Sequence, residues 1–332
     1  MKKSKKILSL ALTLTMLAGT LLSTSAFAAG AEDDYYYEKM NDGTVNIDGY
    51  RGDDSDIIMP DTLENRPVTS VDSYGYFDCE HIESVTLPTN TQTIGECTFE
   101  NCNELSEITF NSKLTTIRNK AFYNDDQLTG AILPNSLTAL GEDAFYGCTS
   151  VSNLTLSSGL TEIHNGTFEY CSSLTKVAIP SGVTAIDQNA FAWCTGLSEV
   201  TIPASVNNMS DSAFANDDDL TIKGYNGTYA QTYAKNHNIP FVSLGDVPID
   251  TSIQLDTGSA LSIKAGKFYT FKVTAKSKPT FTVGNNSVFK IAYAGNSGNN
   301  YFFKATAVGK AGQVTGFYIN LEKTPRTVGT IK

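Results

Sequence analysis

The chain has 332 residues and a formal net charge of −11, with 24 Lys and Arg against 35 Asp and Glu. This length allows two domains, and the acidic balance argues against a protein that binds nucleic acid through its overall charge. Apolar residues make up 41% of the chain and aromatic residues 10%, too rich in core-forming side chains for a disordered protein. The chain is therefore expected to fold.

Residues 1–28 have the pattern of a secretory signal peptide. Four lysines in the first six positions precede an apolar stretch over residues 7–22 and the small-x-small site Ala26-Phe27-Ala28. An uncleaved membrane anchor is the alternative, but Ser and Thr interrupt the apolar stretch and no stop-transfer pattern follows. No lipid-anchor cysteine or wall-sorting motif is found. We expect an exported protein, either secreted or held non-covalently at the cell wall, with no transmembrane span.

A repeat of about 23 residues organises the middle of the chain. Phenylalanine recurs with one spacing of 22 residues and five of 23, at Phe77, Phe99, Phe122, Phe145, Phe168, Phe191 and Phe214. Apolar pairs nine and eleven positions after each Phe have the alternation of one short strand per repeat. Stacking the repeats at about 4.8 Å would join these columns into one core. The pattern predicts a solenoid over residues 76–223.

The repeat consensus is F-x-x-C-x-x-L-x-x-V-x-I-P-x-x-V-x-x-I, and Phe191 to Ile202 is its cleanest copy. This consensus resembles the BspA-like class of bacterial leucine-rich repeats, and the resemblance runs from about Tyr36 to Leu244. It implies a leucine-rich repeat solenoid of short parallel strands and irregular turns. It also implies a secreted or surface protein with adhesin-like binding of host or neighbouring-cell proteins, whose repeats carry no catalytic residues.

Both ends of a solenoid need a cover, because an open rung exposes core side chains and unpaired strand groups. Residues 29–75 are predicted to form the N-terminal cap, with strands over Thr44 to Gly49 and Ile57 to Pro60. Residues 224–246 are predicted to form a closing helix and the strand Pro240 to Leu244. The apolar face of the helix is expected to comprise Tyr229, Ala230, Tyr233 and Ala234.

Residues 249–332 form a second region, in which the 23-residue period stops and short alternating segments begin. The segments are Ser252 to Leu255, Leu261 to Ile263, Tyr269 to Thr274, Thr280 to Val283, Phe289 to Tyr293, Tyr301 to Val308 and Gly316 to Leu321. Seven strands without a helical period predict an all-β antiparallel sandwich. The region resembles the small Ig-like modules of exported bacterial proteins, although it lacks the cysteine pair and the tryptophan of an immunoglobulin core.

The cysteines are expected to be buried thiols. Five of the six occupy one repeat column, namely Cys79, Cys102, Cys148, Cys171 and Cys194, with Cys79 fitting if the first repeat has lost one residue. Side chains in register on parallel rungs point the same way, which is poor disulfide geometry. Cys97 lies outside the column and is the one candidate for a reactive or bridging thiol, although a spectator role is favoured.

No catalytic, cofactor or metal site is predicted. The histidines His81, His164 and His237 form no Cys-x-x-Cys or His-x-x-x-His pattern and have no catalytic cysteine partner in the sequence. The acidic runs 53–56 and 217–219 lack an EF-hand loop, so solvated turns are favoured over calcium sites. A hydrolase using solenoid carboxylates is the disfavoured alternative, because no acid and base can be paired.

Two surfaces of the solenoid are candidates for binding a protein or a glycan. The first is an aromatic ridge, formed one or two positions after the column Phe by Tyr123, Tyr146, Tyr170 and Trp193. The second is a strand face, formed by Thr86, Glu107, Thr109, Asn153, Thr155, Lys176, Glu199 and Thr201. Each surface also has a purely structural explanation. The aromatic residues of the ridge would only pad the edge of the core, and Thr would occur on the strand face only because it favours strands. A monomer is expected, and a spacer in a surface assembly is the alternative role.

Charge divides the chain into two unlike parts. Residues 249–332 carry ten Lys and one Arg against three acidic residues, a net +8, which leaves −23 on residues 29–248 and −15 on the mature chain. We expect the basic domain to adhere to anionic cell-wall polymer while the acidic solenoid is repelled outward. Docking of the two domains is the alternative. The candidate wall contacts are Lys264, Lys267, Lys272, Lys276, Lys278 and Lys310.

Overall fold

The structure is a computed structural model that describes residues 32–248, 254–256, 260–320 and 327–332. The predicted signal peptide lies outside the described residues. Within the described ranges, no helix is both long and apolar enough to cross a bilayer. Two separate hydrophobic cores are present, one between Tyr35 and Ala234 and the other between Leu261 and Ile331.

The N-terminal region starts the stack of rungs and covers its first end. A 3-10 turn at Glu32–Asp34 precedes the strands β1 (Tyr35–Lys39), β2 (Val45–Tyr50), β3 (Asp56–Ile58), β4 (Thr62–Leu63) and β5 (Arg66–Val71). The strands β2 and β5 pair in parallel, whereas β1 pairs antiparallel with the outer edge of β2. An antiparallel edge strand of this kind covers hydrogen-bonding groups that a first rung would otherwise expose.

Each rung of the solenoid contributes two short strands, which lie in two parallel ladders. The longer strands are β6 (Ser84–Thr86), β8 (Glu107–Thr109), β10 (Gly130–Ile132), β12 (Asn153–Thr155), β14 (Lys176–Ala178), β16 (Glu199–Thr201) and β18 (Thr221–Gly224). The two-residue strands are β7 (Thr93–Ile94), β9 (Thr116–Ile117), β11 (Ala139–Leu140), β13 (Glu162–Ile163), β15 (Ala185–Ile186) and β17 (Asn208–Met209). Strands that pair on neighbouring rungs are in parallel register, which confirms the predicted solenoid.

The phenylalanine column forms a stack of rings through the core. From Phe99 to Phe214, the centroids of neighbouring rings lie 4.9 to 5.6 Å apart and their planes differ by 4 to 13°. Five of these rings are no more than 1% exposed and Phe214 is 4% exposed, so each contributes most of its apolar surface to the core.

The start of this column differs from the prediction. Phe77 is 44% exposed, and Tyr76 takes its place with a ring 5.1 Å from that of Phe99. Counted from Tyr76, the first spacing is also 23 residues and Cys79 falls in the cysteine column, so the first repeat has not lost a residue. An aromatic side chain at both positions made the register ambiguous in the sequence.

The far end of the solenoid is closed as predicted by a helix and a strand. Helix α1 (Tyr229–Asn236) buries Ala230, Tyr233 and Ala234, and the Tyr233 ring packs edge-on against Phe214 at 6.2 Å. Strand β19 (Phe241–Ser243) adds to β18 in parallel. Tyr229 is 38% exposed, so the predicted apolar face of the helix is narrower by one residue.

The C-terminal region consists of two four-stranded sheets, which confirms the predicted sandwich. One sheet has the order β20 (Gln254–Leu255), β22 (Phe268–Thr274), β25 (Asn300–Ala307) and β24 (Phe289–Ser297). The other has the order β21 (Ala260–Ile263), β27 (Thr327–Ile331), β26 (Val314–Ile319) and β23 (Phe281–Val283).

Strand β27 was not predicted, and it makes a parallel pair with β21 in an otherwise antiparallel arrangement. The strand buries Thr327, Gly329 and Ile331 and leaves Val328 and Thr330 half-buried. Two of its three inward positions therefore lack a large apolar side chain, and this obscures the alternation by which strands are identified.

Candidate binding surface

The aromatic ridge exists as one continuous stack on the outside of the solenoid. The rings of Tyr123 and Tyr146 are parallel at 4.6 Å, and those of Tyr170 and Trp193 are parallel at 5.7 Å. Between the two pairs, Tyr146 meets Tyr170 edge-on at 5.3 Å. Burial, Tyr123 and Glu169 raise the pKa of Tyr146 to about 12, so its hydroxyl is neutral. The ridge therefore presents aromatic surface on four successive rungs.

Tyr170 and Trp193 are the exposed half of the ridge, and both have left-handed backbones. Their φ angles are 63° and 60°, and their side chains are exposed, whereas Tyr123 and Tyr146 are half-buried. The equivalent residues on other rungs are Asn101, Asn124, Gly147 and Asn216, residue types that tolerate this conformation at little cost. A bulky side chain at positive φ costs about 1–3 kcal/mol and is concentrated at functional sites.

The backbone of the ridge is held rigidly by the next rung. The amides of Tyr170 and Trp193 donate to the carbonyls of Ala192 and Ala215, at 2.9 and 2.8 Å. Asn124 donates in the same way to Tyr146. Because each rung fixes the one before it, the rings are presented on a scaffold that loses little entropy when it binds a partner.

A cleft lies where the ridge changes from one ring pair to the other. Its volume is about 550 Å³, and it is lined by Asn101, Asn103, Asn124, Asp126, Tyr146, Gly147, Thr149 and Tyr170. Gly147 is the one glycine in the left-handed column that otherwise carries Asn, Tyr and Trp from residue 101 to residue 193. A Cβ at Gly147 would collide with Oδ1 of Asn124, so the Asn124 side chain occupies the place that a side chain at residue 147 would take.

The strand face is regular and only weakly charged. Its outward side chains are exposed or half-buried, and its strands pair in parallel register as β6 with β8, β10 with β12 and β14 with β16. Lys223 and Glu199 form an ion pair of 2.7 Å. Ile132 lies in the middle of the face and is 63% exposed, so the face also includes one exposed apolar side chain. Single exposed apolar residues are normal on protein surfaces and do not define a site.

The cysteine column holds buried thiols on four rungs, as predicted, whereas Cys79 at its start is only half-buried. Cys102, Cys148, Cys171 and Cys194 are fully buried, and each Sγ donates to the carbonyl of the residue 26 positions earlier, at 3.0 to 3.3 Å. Burial is the main cause that raises the pKa of each of these thiols. Protonated thiols are poor nucleophiles and poor metal ligands.

Cys97 is not the reactive thiol that its position outside the column allowed. It is 4% exposed, and burial together with Glu100 raises its pKa to about 11. A thiolate is therefore disfavoured at neutral pH, and the spectator role is supported.

Two aspartates stand in the cysteine column and are buried. Asp125 is fully buried and accepts a hydrogen bond from the amide of Cys102 through Oδ1, while its Oδ2 has no partner among the described residues. Asp217 is 7% exposed, and burial raises its pKa to about 8. Burial also raises the pKa of Asp125 well above its usual range. The run 217–219 is therefore only partly a solvated turn, because Asp217 points into the core.

His81 and His164 both lie on the surface of the rungs, accessible to solvent. His81 is exposed, but Nδ1 of His164 lies 3.3 Å from Oδ2 of Asp187 on the next rung. Single ligand atoms of Glu162, His164 and Asp187 lie within 4.8 Å of one another. Residues 23 apart meet on a solenoid surface, and a search for short motifs misses such a trio. His164 and Asp187 are each 40% exposed, and a hydrogen bond between their side chains accounts for this contact without a metal.

The predicted wall-contact lysines are divided between the two ends of the sandwich. Lys264, Lys267 and Lys310 lie in turns at one end, where the amide of Ala307 donates to the carbonyl of Lys267. Lys276 and Lys278 follow the opposite end of β22, and Lys272 lies within that strand. The Lys278 ammonium lies 4.0 Å from the centroid of the Tyr293 ring. All ion pairs among the described residues lie in the solenoid, so none of them neutralises a lysine of the sandwich.

The parallel ladders, the ring stack and the absence of a helix on each rung define a leucine-rich repeat solenoid with short irregular turns. The BspA type leucine rich repeat region matches the chain in six copies, over residues 69–164 and 115–228. The chain belongs to this family of BspA-type leucine-rich repeat proteins. Repeats of this family are generally non-catalytic.

One solved structure agrees with this assignment at the level of the fold. A leucine-rich repeat protein of T. pallidum is 23% identical, with a TM-score of 0.56 over 67% of this chain and 100% of its own. A leucine-rich repeat protein of Bacteroides ovatus is 18% identical, with a TM-score of 0.40 over 70% of this chain and 85% of its own.

A leucine-rich cell surface protein of Faecalibacterium prausnitzii is 18% identical, with a TM-score of 0.24 over 64% of this chain and 97% of its own. No curated protein sequence matches the chain.

Proposed function

We propose that the protein is a non-catalytic binding protein of the cell exterior, and that its aromatic ridge holds a protein or glycan partner. The observation that carries this proposal is the placement of Tyr170 and Trp193. Both are exposed large aromatic residues at left-handed positions where neighbouring rungs use Asn or Gly. Padding of the core does not require this strain, since the half-buried Tyr123 and Tyr146 pad the same edge from the preceding position.

The ridge has the composition of a binding surface. Tyr and Trp dominate the binding energy of many interfaces, because they supply a large rigid contact area with few rotatable bonds. A partner that covers four rungs would gain many modest contacts. We expect the strand face to contribute less, since its side chains are small or charged and one of its three charged members, Glu199, is already paired with Lys223 on the next strand.

A protein and glycan array probed with the purified chain tests this function. We expect selective binding that is weakened at least tenfold by Trp193→Ala and kept by Thr155→Ala, the matched change on the strand face. Full binding by the Trp193→Ala protein would contradict the ridge as the site. Silence of the whole array would favour a spacer in a surface assembly, and turnover of a bound molecule would overturn the non-catalytic assignment.

We further propose that the basic sandwich binds anionic cell-wall polymer and so holds the protein at the wall. The Ig-like architecture of the sandwich also remains a proposal. The region 249–332 carries a net +8, whereas residues 29–248 carry −23. Lys264, Lys267 and Lys310 form the denser cluster, and Lys278 is engaged with Tyr293 at the other end. Attraction of the sandwich to the wall would orient the acidic solenoid away from it.

Sedimentation of the full chain with purified cell walls tests the attachment. We expect binding at low salt, and release at about 1 M salt, where the Debye length is about 3 Å. The double change Lys264→Glu and Lys267→Glu should weaken binding more than the change Lys276→Glu and Lys278→Glu, which alters net charge equally. Binding that persists unchanged at high salt would exclude an electrostatic anchor.

A further inference from the structure

We propose that the cleft at Gly147 is a binding site for a neutral, extended glycan, with pyranose rings packed against Tyr146 and Tyr170. This inference rests on the proposed binding function and adds the class of ligand to it. The cleft volume of about 550 Å³ lies within the range of small-ligand sites, roughly 300–1,000 Å³. Its lining combines two aromatic rings with three amide side chains, one hydroxyl and one carboxylate.

The aromatic side chains suit the apolar faces of sugar rings. Tyr146 and Tyr170 meet edge-on, at an angle of 65°, so they form a corner rather than a flat wall. A pyranose carries its C–H groups on its faces and its hydroxyls around its rim. A sugar ring packed against one side of this corner would therefore turn its hydroxyls toward the polar side chains opposite.

Those polar side chains have hydrogen-bonding capacity to spare. Nδ2 of Asn124 donates to Oδ1 of Asn101 at 3.3 Å. This contact leaves Oδ1 of Asn124 and Nδ2 of Asn101 without a partner among the described residues. One amide oxygen and one amide nitrogen are thus available side by side, and sugar hydroxyls both donate to and accept from such groups.

The charge of the lining argues for a neutral ligand. Asp126 is its one charged residue, and it is exposed to solvent, where its interaction with a ligand charge is screened. No lysine or arginine lines the cleft, so a sulfated or carboxylated polymer would meet only repulsion. The lining also lacks aliphatic side chains that could receive the apolar anchor of a protein.

The solenoid geometry favours an extended chain of sugars over a single one. The lining residues 101, 124, 147 and 170 stand at one position of four successive rungs, which spans roughly 15 Å at about 4.8 Å per rung. A rung step is similar in length to the rise of one residue in an extended β-1,4-linked polysaccharide. Trp193 lies on the next rung and continues the aromatic surface beyond the cleft.

Gly147→Asn is the sharpest test, because the new side chain would push the Asn124 amide out of its place in the cleft lining, and the left-handed position already holds Asn on two other rungs, at Asn101 and Asn124. The Cβ of residue 147 would displace only the far end of the Asn124 side chain, so we expect the fold to tolerate the change. Gly227→Asn is the matched control, since Gly227 also has positive φ, at 73°, with open space around it.

Calorimetric titration of the full chain with cellohexaose, N-acetylchitohexaose and β-1,4-mannohexaose measures the binding. We expect at least one of these neutral hexasaccharides to bind, with an affinity that is independent of salt. Gly147→Asn and Tyr170→Asn should each weaken it about tenfold, while Gly227→Asn stays within about twofold. Unfolding midpoints close to that of the parent chain would show that the variants are folded.

Three results would overturn the glycan site. They are failure of all three hexasaccharides to bind, equal binding by the Gly147→Asn protein, and an affinity that high salt abolishes. If the chain binds none of these sugars but binds a protein on the array in a way that depends on Trp193, the glycan site is wrong and the binding function stands. If both assays are silent, both proposals are wrong.

Discussion

The core of the solenoid is packed from residues at a regular spacing in the sequence, whereas the core of the sandwich is not. In the solenoid, each ring of the phenylalanine column packs on the equivalent ring 23 residues away, so the position within the repeat determines burial. In the sandwich, Phe271, Phe289, Phe303 and Phe317 pack together from strands with no common spacing. A repeated core can therefore be interpreted column by column, and exceptions within a column stand out, whereas a sandwich core has to be understood residue by residue.

The largest expected effect tests whether column position decides stability. Phe168→Ala removes a fully buried ring from the middle of the stack and should lower the free energy of unfolding by about 3–5 kcal/mol. Phe77→Ala changes the same residue type at a site that is 44% exposed, and should cost less than about 0.5 kcal/mol. Urea denaturation followed by circular dichroism measures both values. Equal losses would contradict the assignment of Tyr76 to the column.

The second effect concerns the aspartates that break the cysteine column. An unfolded Asp ionises near pH 3.9, whereas burial raises the pKa of Asp217 to about 8 in the folded protein. Between these values the folded state binds more protons, so stability should fall as pH rises from about 4 to about 8. Asp217→Cys restores the column residue and should raise the unfolding midpoint at pH 8 more than at pH 4. A change that is the same at both pH values would argue against a buried neutral carboxyl.

The third effect separates the ridge from the core. Tyr170→Asn relieves a strained bulky residue at positive φ but removes the stacking contacts with Tyr146 and Trp193. Relief of the backbone strain should stabilise the protein by about 1–3 kcal/mol, and loss of the stacking should destabilise it by about 0.5–1.5 kcal/mol. We therefore expect an unfolding free energy within about 1 kcal/mol of the parent. A loss as large as that of Phe168→Ala would show that the ridge is part of the core.

The smallest effect is expected on the strand face. Glu199→Gln breaks the ion pair with Lys223, but the pair is accessible to solvent and screened by salt. The thermal midpoint should not change measurably at physiological ionic strength. A clear drop would show that this face depends on charge pairs as much as the interior depends on the columns.

Much of the solenoid could be predicted because the sequence repeats it. Six in-register Phe residues, the parallel strands and the closing helix all follow from the 23-residue period and apolar alternation. Tyr76 was missed because Phe77 beside it fits the residue type but not the spacing. The burial of Asp217 was also readable, since it stands three positions after Phe214, yet its two acidic neighbours favoured a solvated turn.

The candidate site was harder to predict than the fold. The aromatic ridge follows from four residues at nearly the same position of the repeat, but the cleft depends on how the side chains around Gly147 are placed in three dimensions. Gly147 stands out only by comparison with the Asn, Tyr and Trp residues at the same position of other rungs. The left-handed backbone at that position is visible in the structure but not in the sequence. In the sandwich, β27 was missed because Thr327 and Gly329 occupy inward positions.

The thiol column has a consequence for the conditions under which this protein can fold. A disulfide network would require an oxidising environment and a catalyst that corrects wrong pairings, and exchange begins with a thiolate. Here the column thiols are buried and hydrogen-bonded to backbone carbonyls, and burial keeps them protonated. The four buried column thiols therefore pack into the solenoid core without forming disulfides, and the same fold is available whether its surroundings are reducing or oxidising.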